Sequence, residues 1–129
     1  MRKDENTVKV SYEDVRRVIE NNTAAVVIPW MDKRITVINT IPMRDVTDFI
    51  ESVFDFGIDR NTNTAYPEFI DLGIRANVVM RYSNVELPAD LEEQYKILYC
   101  TNLYDVICKR INQQQLAAIK DTVAVCLKR

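Results

Sequence analysis

Apolar residues occupy nearly every side of a helix drawn through residues 67–82, PEFIDLGIRANVVMRY. A helix that is apolar almost all round lies in a protein interior, with other elements packed on several of its faces. Pro67 suits the first helical turn, where a backbone N–H has no partner within the helix. Asp71 and Arg75 are four residues apart, which predicts an ion pair on the side left for water. We therefore predict a buried central helix over 67–82.

Amphipathic patterns predict further helices before and after the central one. Val15, Val18 and Ile19 recur at helical spacing after a capping-box-like pair, Ser11 and Asp14. The helix that begins near Pro42 is expected to end at Gly57, and residues 57–66 form the longest loop, which is turn-rich and exposed. The predicted helices other than the central one are 12–21, 42–57, 89–100, 103–111 and 113–128.

The later helices carry their own start signals. Asn102 and Asn112 each precede a predicted helix and are expected to cap its first turn. In the helix predicted at 89–100, Leu91, Tyr95 and Leu98 are expected to face inward. The pattern thus repeats a cap followed by a helix, without a repeated sequence.

Two β-branched runs interrupt the helical period. Residues 24–30 (AAVVIPW) and 35–38 (ITVI) are separated by Met31-Asp32-Lys33-Arg34, which predicts a β-hairpin at about 24–38. Pro29 has no N–H for a ladder, so the first strand is expected at a sheet edge. A two-stranded ribbon is marginal alone and must pack on helices or accept a neighbouring chain. The predicted fold is α+β, mainly α-helical, with one hairpin packed on about five helices around the central one.

Length and charge limit the domain organisation and the partners. The 129 residues predict a flexible N-terminus at 1–10 and a single globular domain at 11–129. The first ten residues have no apolar core for a signal peptide, and no window approaches the roughly 20 apolar residues of a membrane span. The net charge is −2 and the basic pairs are scattered along the chain, so nucleic-acid binding is not expected.

The residue types leave little room for common catalytic chemistry. The absence of histidine removes Ser-His-Asp and Cys-His arrangements and histidine-based zinc sites. The cysteines, spaced by 8 and 18 residues, match no zinc pattern and are expected to be reduced and to pack as small apolar side chains. They are Cys100, Cys108 and Cys126.

An acidic series lies along the predicted helix at 42–57. Asp45, Asp48, Glu51 and Asp55 diverge from a helix instead of meeting at one point, so a solvated face is expected and not a cation site. The sequence accordingly predicts no enzyme, no catalytic or metal-binding residue and no cofactor.

A partner-binding surface is predicted at the end of the edge strand. Trp30 lies beside Pro29 and directly before the turn that begins at Met31. Aromatic side chains with a polar tip suit half-wet contacts, so an exposed Trp30 is expected to meet a partner. Pro29, Trp30 and Met31 are the predicted partner-binding residues.

Several structural motifs between about residues 35 and 124 resemble those of a family. They are 35–42 (ITVINTIP) leading into a helix, Tyr66-Pro67-Glu68, the turn 82–85 followed by Leu87-Pro88, the stretch 101–104 (TNLY), and the helix start at 111–115. In this combination the chain resembles a group of small tailed-bacteriophage proteins. The group has Tyr-Thr-Asn at the turn, where this chain keeps the hydroxyl with Ser83.

The resemblance implies a non-catalytic role in phage morphogenesis, as a tail assembly chaperone or as a small virion or head–tail connector component. It implies phage structural proteins, further copies of the chain, or both as partners, and a location in the host cytoplasm or in the virion. Two alternatives stay open. One is an inhibitor of a host defence protein, with the acidic series as a phosphate mimic; the other is a carboxylate-based enzyme, which needs acids that converge in a pocket.

Overall fold

The computed structural model describes residues 9–22 and 24–128. The predicted flexible N-terminus at 1–10 therefore lies outside the described residues, apart from positions 9 and 10. The fold is α+β and mainly α-helical, as the pattern predicted. Its elements are α1 (Tyr12–Asn22), β1 (Ala25–Trp30), β2 (Lys33–Ile38), α2 (Met43–Gly57), β3 (Ile58–Asp59), β4 (Thr64–Ala65), α3 (Pro67–Tyr82), α4 (Leu91–Cys100), α5 (Leu103–Cys108) and α6 (Gln113–Leu127).

The central helix α3 is confirmed with its predicted bounds and with Pro67 in its first turn. It packs against α2, α4 and α5, which explains why its apolar residues point in several directions. Two apolar side chains of α3 reach solvent: Phe69 is 40% exposed and Met80 is 39% exposed. Its buried residues are Ile70, Leu72, Gly73, Ile74, Ala76, Asn77, Val78, Val79 and Tyr82.

Close packing of α3 on α2 depends on a residue without a side chain. A Cβ added at Gly73 would lie 3.0 Å from Cβ of Phe56 and 3.2 Å from Cα of Val53. The one buried polar residue of α3, Asn77, is satisfied within this packing. Its amide donates to Ser52 Oγ at 3.0 Å, and its oxygen accepts from Arg81 Nε at 2.7 Å.

The predicted hairpin is present, with a shorter turn than expected. β1 and β2 pair antiparallel, and Trp30 lies opposite Lys33 across the two-residue turn Met31-Asp32. The prediction that Lys33 and Arg34 belong to the turn was wrong, because both extend β2. A two-residue turn requires backbone angles that strand residues do not adopt, and Met31 supplies them with a φ of 57°.

The two outer edges of the hairpin differ. The edge of β2 meets the segment after α3, where Val37 forms a bridge with Ser83. The Thr36 amide also donates to Asn84 Oδ1 at 3.0 Å, and the Asn84 amide donates to the Thr36 carbonyl at 3.2 Å. In the described part of the chain, β1 pairs with β2 alone. Pro29 thus stands on an edge strand, as predicted.

Gln115 of α6 connects three parts of the core. Its amide group donates to the carbonyl of Ile41 at 2.9 Å and accepts from the amide of Ile41 at 3.0 Å. The hydroxyl of Tyr82 donates to the same side-chain oxygen at 2.7 Å. The Gln115 side chain thus makes the two backbone hydrogen bonds with Ile41 that a neighbouring strand would otherwise make. Ile41 lies just before α2 begins.

Several predicted boundaries need correction. The loop 57–66 contains the short antiparallel pair β3–β4, which the turn-rich sequence did not indicate. α4 begins at Leu91 and not at residue 89, because the side chain of Asp90 caps it by accepting from the Glu93 amide at 3.1 Å. α5 ends at Cys108 and not at residue 111, and the side-chain amide of Gln113 donates to the Cys108 carbonyl at 2.7 Å.

Some predicted side-chain positions were also wrong. Leu98 is buried, but Leu91 and Tyr95 are each 48% exposed, and Gln94 takes the inward position instead. Cys100 is exposed, whereas Cys108 and Cys126 are partly buried, and all three thiols are free. In the described residues, no helix is long and apolar enough to cross a membrane.

Candidate interaction surface

The three predicted partner-binding residues lie together at the tip of the hairpin but differ in exposure. Pro29 is exposed, and Met31 is 82% exposed in the turn. Trp30 is half-buried against the core, and its indole N–H donates to Asn102 Oδ1 at 2.8 Å. The polar tip of the indole therefore has a partner within the chain. Binding of a partner by these three residues stays a prediction.

Asn102 precedes α5 as predicted, but its side chain does not cap the helix. The oxygen that would accept from the first turn accepts from Trp30 instead. The hydroxyl of Thr101 accepts from the Leu103 amide at 3.2 Å in its place. Asn112, by contrast, caps α6 as predicted and accepts from the Gln115 amide at 2.8 Å.

The apolar face of α1 is an exposed surface that the sequence did not assign to binding. Ser11 and Asp14 form the predicted capping box, with reciprocal hydrogen bonds of 3.2 Å and 3.1 Å. Nevertheless, each described side chain of α1 is exposed, including Val18 at 58% and Ile19 at 52%. The helical spacing of Val15, Val18 and Ile19 predicted an apolar face on this helix. That spacing does not indicate which element or partner covers the face.

The first strand also exposes apolar side chains. Val26 is 39% exposed and Val27 is 58% exposed on β1, next to an edge that has no strand partner in the described chain. Unpaired edge strands are ready templates for pairing with another chain. The N-terminal part of the described chain thus combines an amphipathic helix with an open strand edge.

An aromatic and charged cluster joins α3, α4 and α5. The guanidinium of Arg75 lies 4.3 Å from the ring centre of Tyr99 and 4.7 Å from that of Tyr104. Its Nε donates to Asp71 Oδ2 at 3.0 Å, which confirms the predicted ion pair. The hydroxyl of Tyr99 donates to the same oxygen, and the ring of Tyr95 stacks on Tyr99 with centroids 4.8 Å apart.

Burial, hydrogen bonds and neighbouring charges raise the pKa values of three members of this cluster. Burial and the hydrogen bond to Asp71 raise the pKa of Tyr99. Burial and the thiol of Cys108 raise the pKa of Tyr104. Burial lowers the pKa of Arg75, but the hydrogen bond to Asp71 and the negative charges of Asp71, Tyr99 and Tyr104 together outweigh it, so the pKa is raised. Each group is thereby held in its neutral-pH state, which is the state that a cation–π contact requires.

The acidic series of α2 does not converge on a cation site. Asp48, Glu51 and Asp55 are exposed, and the Asp55 carboxylate pairs with Arg60 at 2.5 Å. Over residues 9–22 and 24–128, no group of three or more histidine, cysteine, aspartate or glutamate side chains is arranged to hold a metal ion.

Comparison with known proteins identifies no relative: no protein-family model matches the chain, and no curated protein or solved structure does.

Proposed function

We propose that the protein is a non-catalytic interaction module in the assembly of bacteriophage particles, acting as a tail assembly chaperone. A small virion or head–tail connector component is the alternative within the same role. Its partners are phage structural proteins, further copies of the chain, or both. The observations that carry the proposal are the exposed apolar face of α1 and the open edge of β1 in the described chain.

The short length and the exposed apolar side chains of α1 favour the binding of a partner. α1 has 11 residues, and an isolated helix of fewer than about 12–15 residues is marginal in water. Fully burying one valine or isoleucine side chain contributes about 1.5–3 kcal/mol. A partner that covers Val15, Val18 and Ile19 would therefore stabilise both the helix and the complex.

The link to phage assembly is drawn from the resemblance of residues 35–124 to small tailed-phage proteins. An assembly role fits a chain that exposes apolar side chains along α1 and β1. The competing role, an inhibitor that mimics phosphates, draws less support from the acidic series, because Arg60 neutralises Asp55 and Asp45 is half-buried. The proposed surface includes Pro29 and Trp30, which end the open strand, and Met31 in the turn that follows.

The test compares partner capture by two variants in phage-infected cells. In the first, Val15→Ser, Val18→Ser and Ile19→Ser are combined; serine has a helix propensity close to that of valine, so the helix itself is conserved. The control is Val125→Ser, which changes another exposed apolar residue (55% exposed) on α6. Mass spectrometry of captured proteins and light scattering of the purified chain are the measurements.

We expect the wild type and the control to capture phage structural proteins or to self-associate, and the triple variant to lose most of this association. A Trp30→Ala variant tests the hairpin tip in the same way. Equal association of the triple variant and the wild type would contradict the proposal. Capture of host proteins without any phage protein or second copy would contradict the assembly role.

A further inference from the structure

Hydrogen bonds on the far side of β2 fix the direction in which β1 turns its own main-chain groups. The Thr36 amide donates to Asn84 Oδ1 and the Thr36 carbonyl accepts from the Asn84 amide, so both main-chain groups of Thr36 point away from β1. Val27 lies opposite Thr36 in the hairpin. Opposite residues of an antiparallel pair either bond to each other or both point outward. The N–H and C=O of Val27 therefore point to the outer edge of β1.

Alternation along the strand extends this edge to Ala25 and Pro29. Residues two apart direct their main-chain groups to the same side, and a proline in a sheet lies where the missing N–H would face outward. The position of Pro29 thus agrees with the direction found at Val27. In the described chain, no strand and no backbone group outside the hairpin bonds to this edge. Ala25 and Val27 each offer a donor and an acceptor there, whereas Pro29 offers an acceptor alone.

The strand lacks the charged side chains that usually prevent an open edge from pairing with another copy. Natural edge strands are protected by lysine and other charged residues or by proline. β1 (AVVIPW) has no ionisable residue, and its proline follows the positions that offer both groups. Val26 and Val27 are both exposed and lie on opposite faces of the strand. No charge in β1 repels an identical strand, and a second copy would shield a valine on either face.

We infer that two copies of the chain pair through β1 as antiparallel strands, related by a two-fold axis at Val26. In this register Ala25 of each copy lies opposite Val27 of the other, and each such pair exchanges both of its hydrogen bonds. The two Val26 residues lie opposite each other in the closer type of pair, which favours β-branched side chains. The inference rests on the proposed interaction role, and it names a second copy as the partner of the open edge.

Pro29 selects this register over the next one. With the two-fold axis at Val27, Ala25 would lie opposite Pro29, and the Ala25 carbonyl would face a residue without an N–H. With the axis at Val26, each edge donor and acceptor of Ala25 and Val27 is used. A foreign strand could bond to the same groups, but a two-fold pair satisfies the edges of both molecules at once. Two-fold dimers are also the commonest oligomers.

Cysteine cross-linking of the full chain tests the register. Val26→Cys is oxidised in a Cys100→Ser background, which removes the exposed native thiol and is itself the control. The Cα atoms of a directly opposite, non-hydrogen-bonded pair are about 4.5 Å apart, a distance that a disulfide spans. We therefore expect a disulfide-linked dimer of Val26→Cys on a non-reducing gel. Ala25→Cys and Val27→Cys should each stay uncross-linked alone and should cross-link when mixed.

Sedimentation velocity measures the association without a cross-link. A short strand pair buries little surface, so we expect dimers at roughly 100 μM and above. Val27→Pro removes an outward N–H without removing a hydrogen bond to β2, and it should weaken dimerisation at least about tenfold. Val125→Ser, at an exposed residue of α6, is the matched control and should dimerise normally. Circular dichroism verifies that each variant folds, and the cross-links decide the inference if Val27→Pro does not fold.

Four results would each overturn the inference. They are a chain that stays monomeric to about 1 mM, a dimer equally stable in Val27→Pro, cross-linking of Val27→Cys alone, and no cross-linking of Val26→Cys. The α1 triple variant should still cross-link through position 26. Equal capture of phage proteins by that variant and the wild type, with the cross-link formed, would contradict the proposed function alone. Loss of capture in that variant, with no cross-link in any chain, would contradict this inference alone.

Discussion

The indole nitrogen of Trp30 and the side-chain oxygen of Asn102 lie 2.8 Å apart and join the tip of the hairpin to the start of α5. The hydrogen bond spans 72 positions of the sequence. It fixes the end of β1 against the start of α5.

Removing this bond should loosen the hairpin. Asn102→Ala is expected to lower the free energy of unfolding by about 1 kcal/mol, the usual net value of a hydrogen bond. The chain has a single tryptophan, so urea unfolding followed by its fluorescence reports directly on this contact. A double-mutant cycle with Trp30→Phe, followed by circular dichroism, isolates the pairwise energy. Additive effects of the two substitutions would show that the bond contributes nothing.

The Gln115 side chain should contribute more to the stability of the fold than its partly exposed position suggests. Gln115→Leu leaves both backbone groups of Ile41 and the hydroxyl of Tyr82 without their partner, and we expect a loss of about 3 kcal/mol of stability. Gln114→Leu is the control, because Gln114 is exposed on the same helix. Urea unfolding measures both. Similar losses in the two variants would argue against the bridging role of Gln115.

Stability should fall at alkaline pH. Burial raises the pKa of Tyr82 from its usual 10.0 to about 12. Between these values the unfolded chain releases the proton and the folded chain keeps it, so rising pH favours unfolding. The stabilising contribution is complete below pH 10 and is lost as the pH passes about 12. Tyr82→Phe should flatten this part of the pH profile, measured by urea unfolding at successive pH values. If the free energy of unfolding of Tyr82→Phe fell with pH as steeply as that of the wild type, the prediction would be wrong.

The turn residue Met31 carries backbone strain. Its φ of 57° lies in the left-handed region, which costs a non-glycine residue roughly 1–2 kcal/mol. Met31→Gly should therefore raise the free energy of unfolding by about 0.5 kcal/mol once the greater entropy of the unfolded glycine is included. Met31→Val should lower it. Met43→Gly, at the exposed first residue of α2, is the contrasting control and should lower stability, because glycine loses more backbone entropy on folding. Thermal unfolding ranks the three variants.

Local patterns predicted the parts of the fold that depend on neighbours in sequence. The all-round apolar spacing of 67–82 identified α3, and the Ser11–Asp14 capping box identified the start of α1. The capping role of Asn102 was wrong because Trp30, far away in sequence, competes for the same oxygen. The sequence signal for a cap is the same whether or not such a competitor exists.

The candidate site was predicted only at the hairpin tip. The exposed face of α1 was visible as an amphipathic pattern. Such a pattern is the same for a helix that packs on its own chain and for one that packs on a partner.

The unequal edges of the hairpin limit how far strand addition can proceed. Ser83 and Asn84 already occupy the outer side of β2, and within residues 9–22 and 24–128 a strand that pairs with β1 finds no second template beyond it. If two copies met through β1, the combined sheet would have four strands and a covered segment at either end. Polymerisation into a fibre needs two complementary open edges on each molecule, and this hairpin offers one.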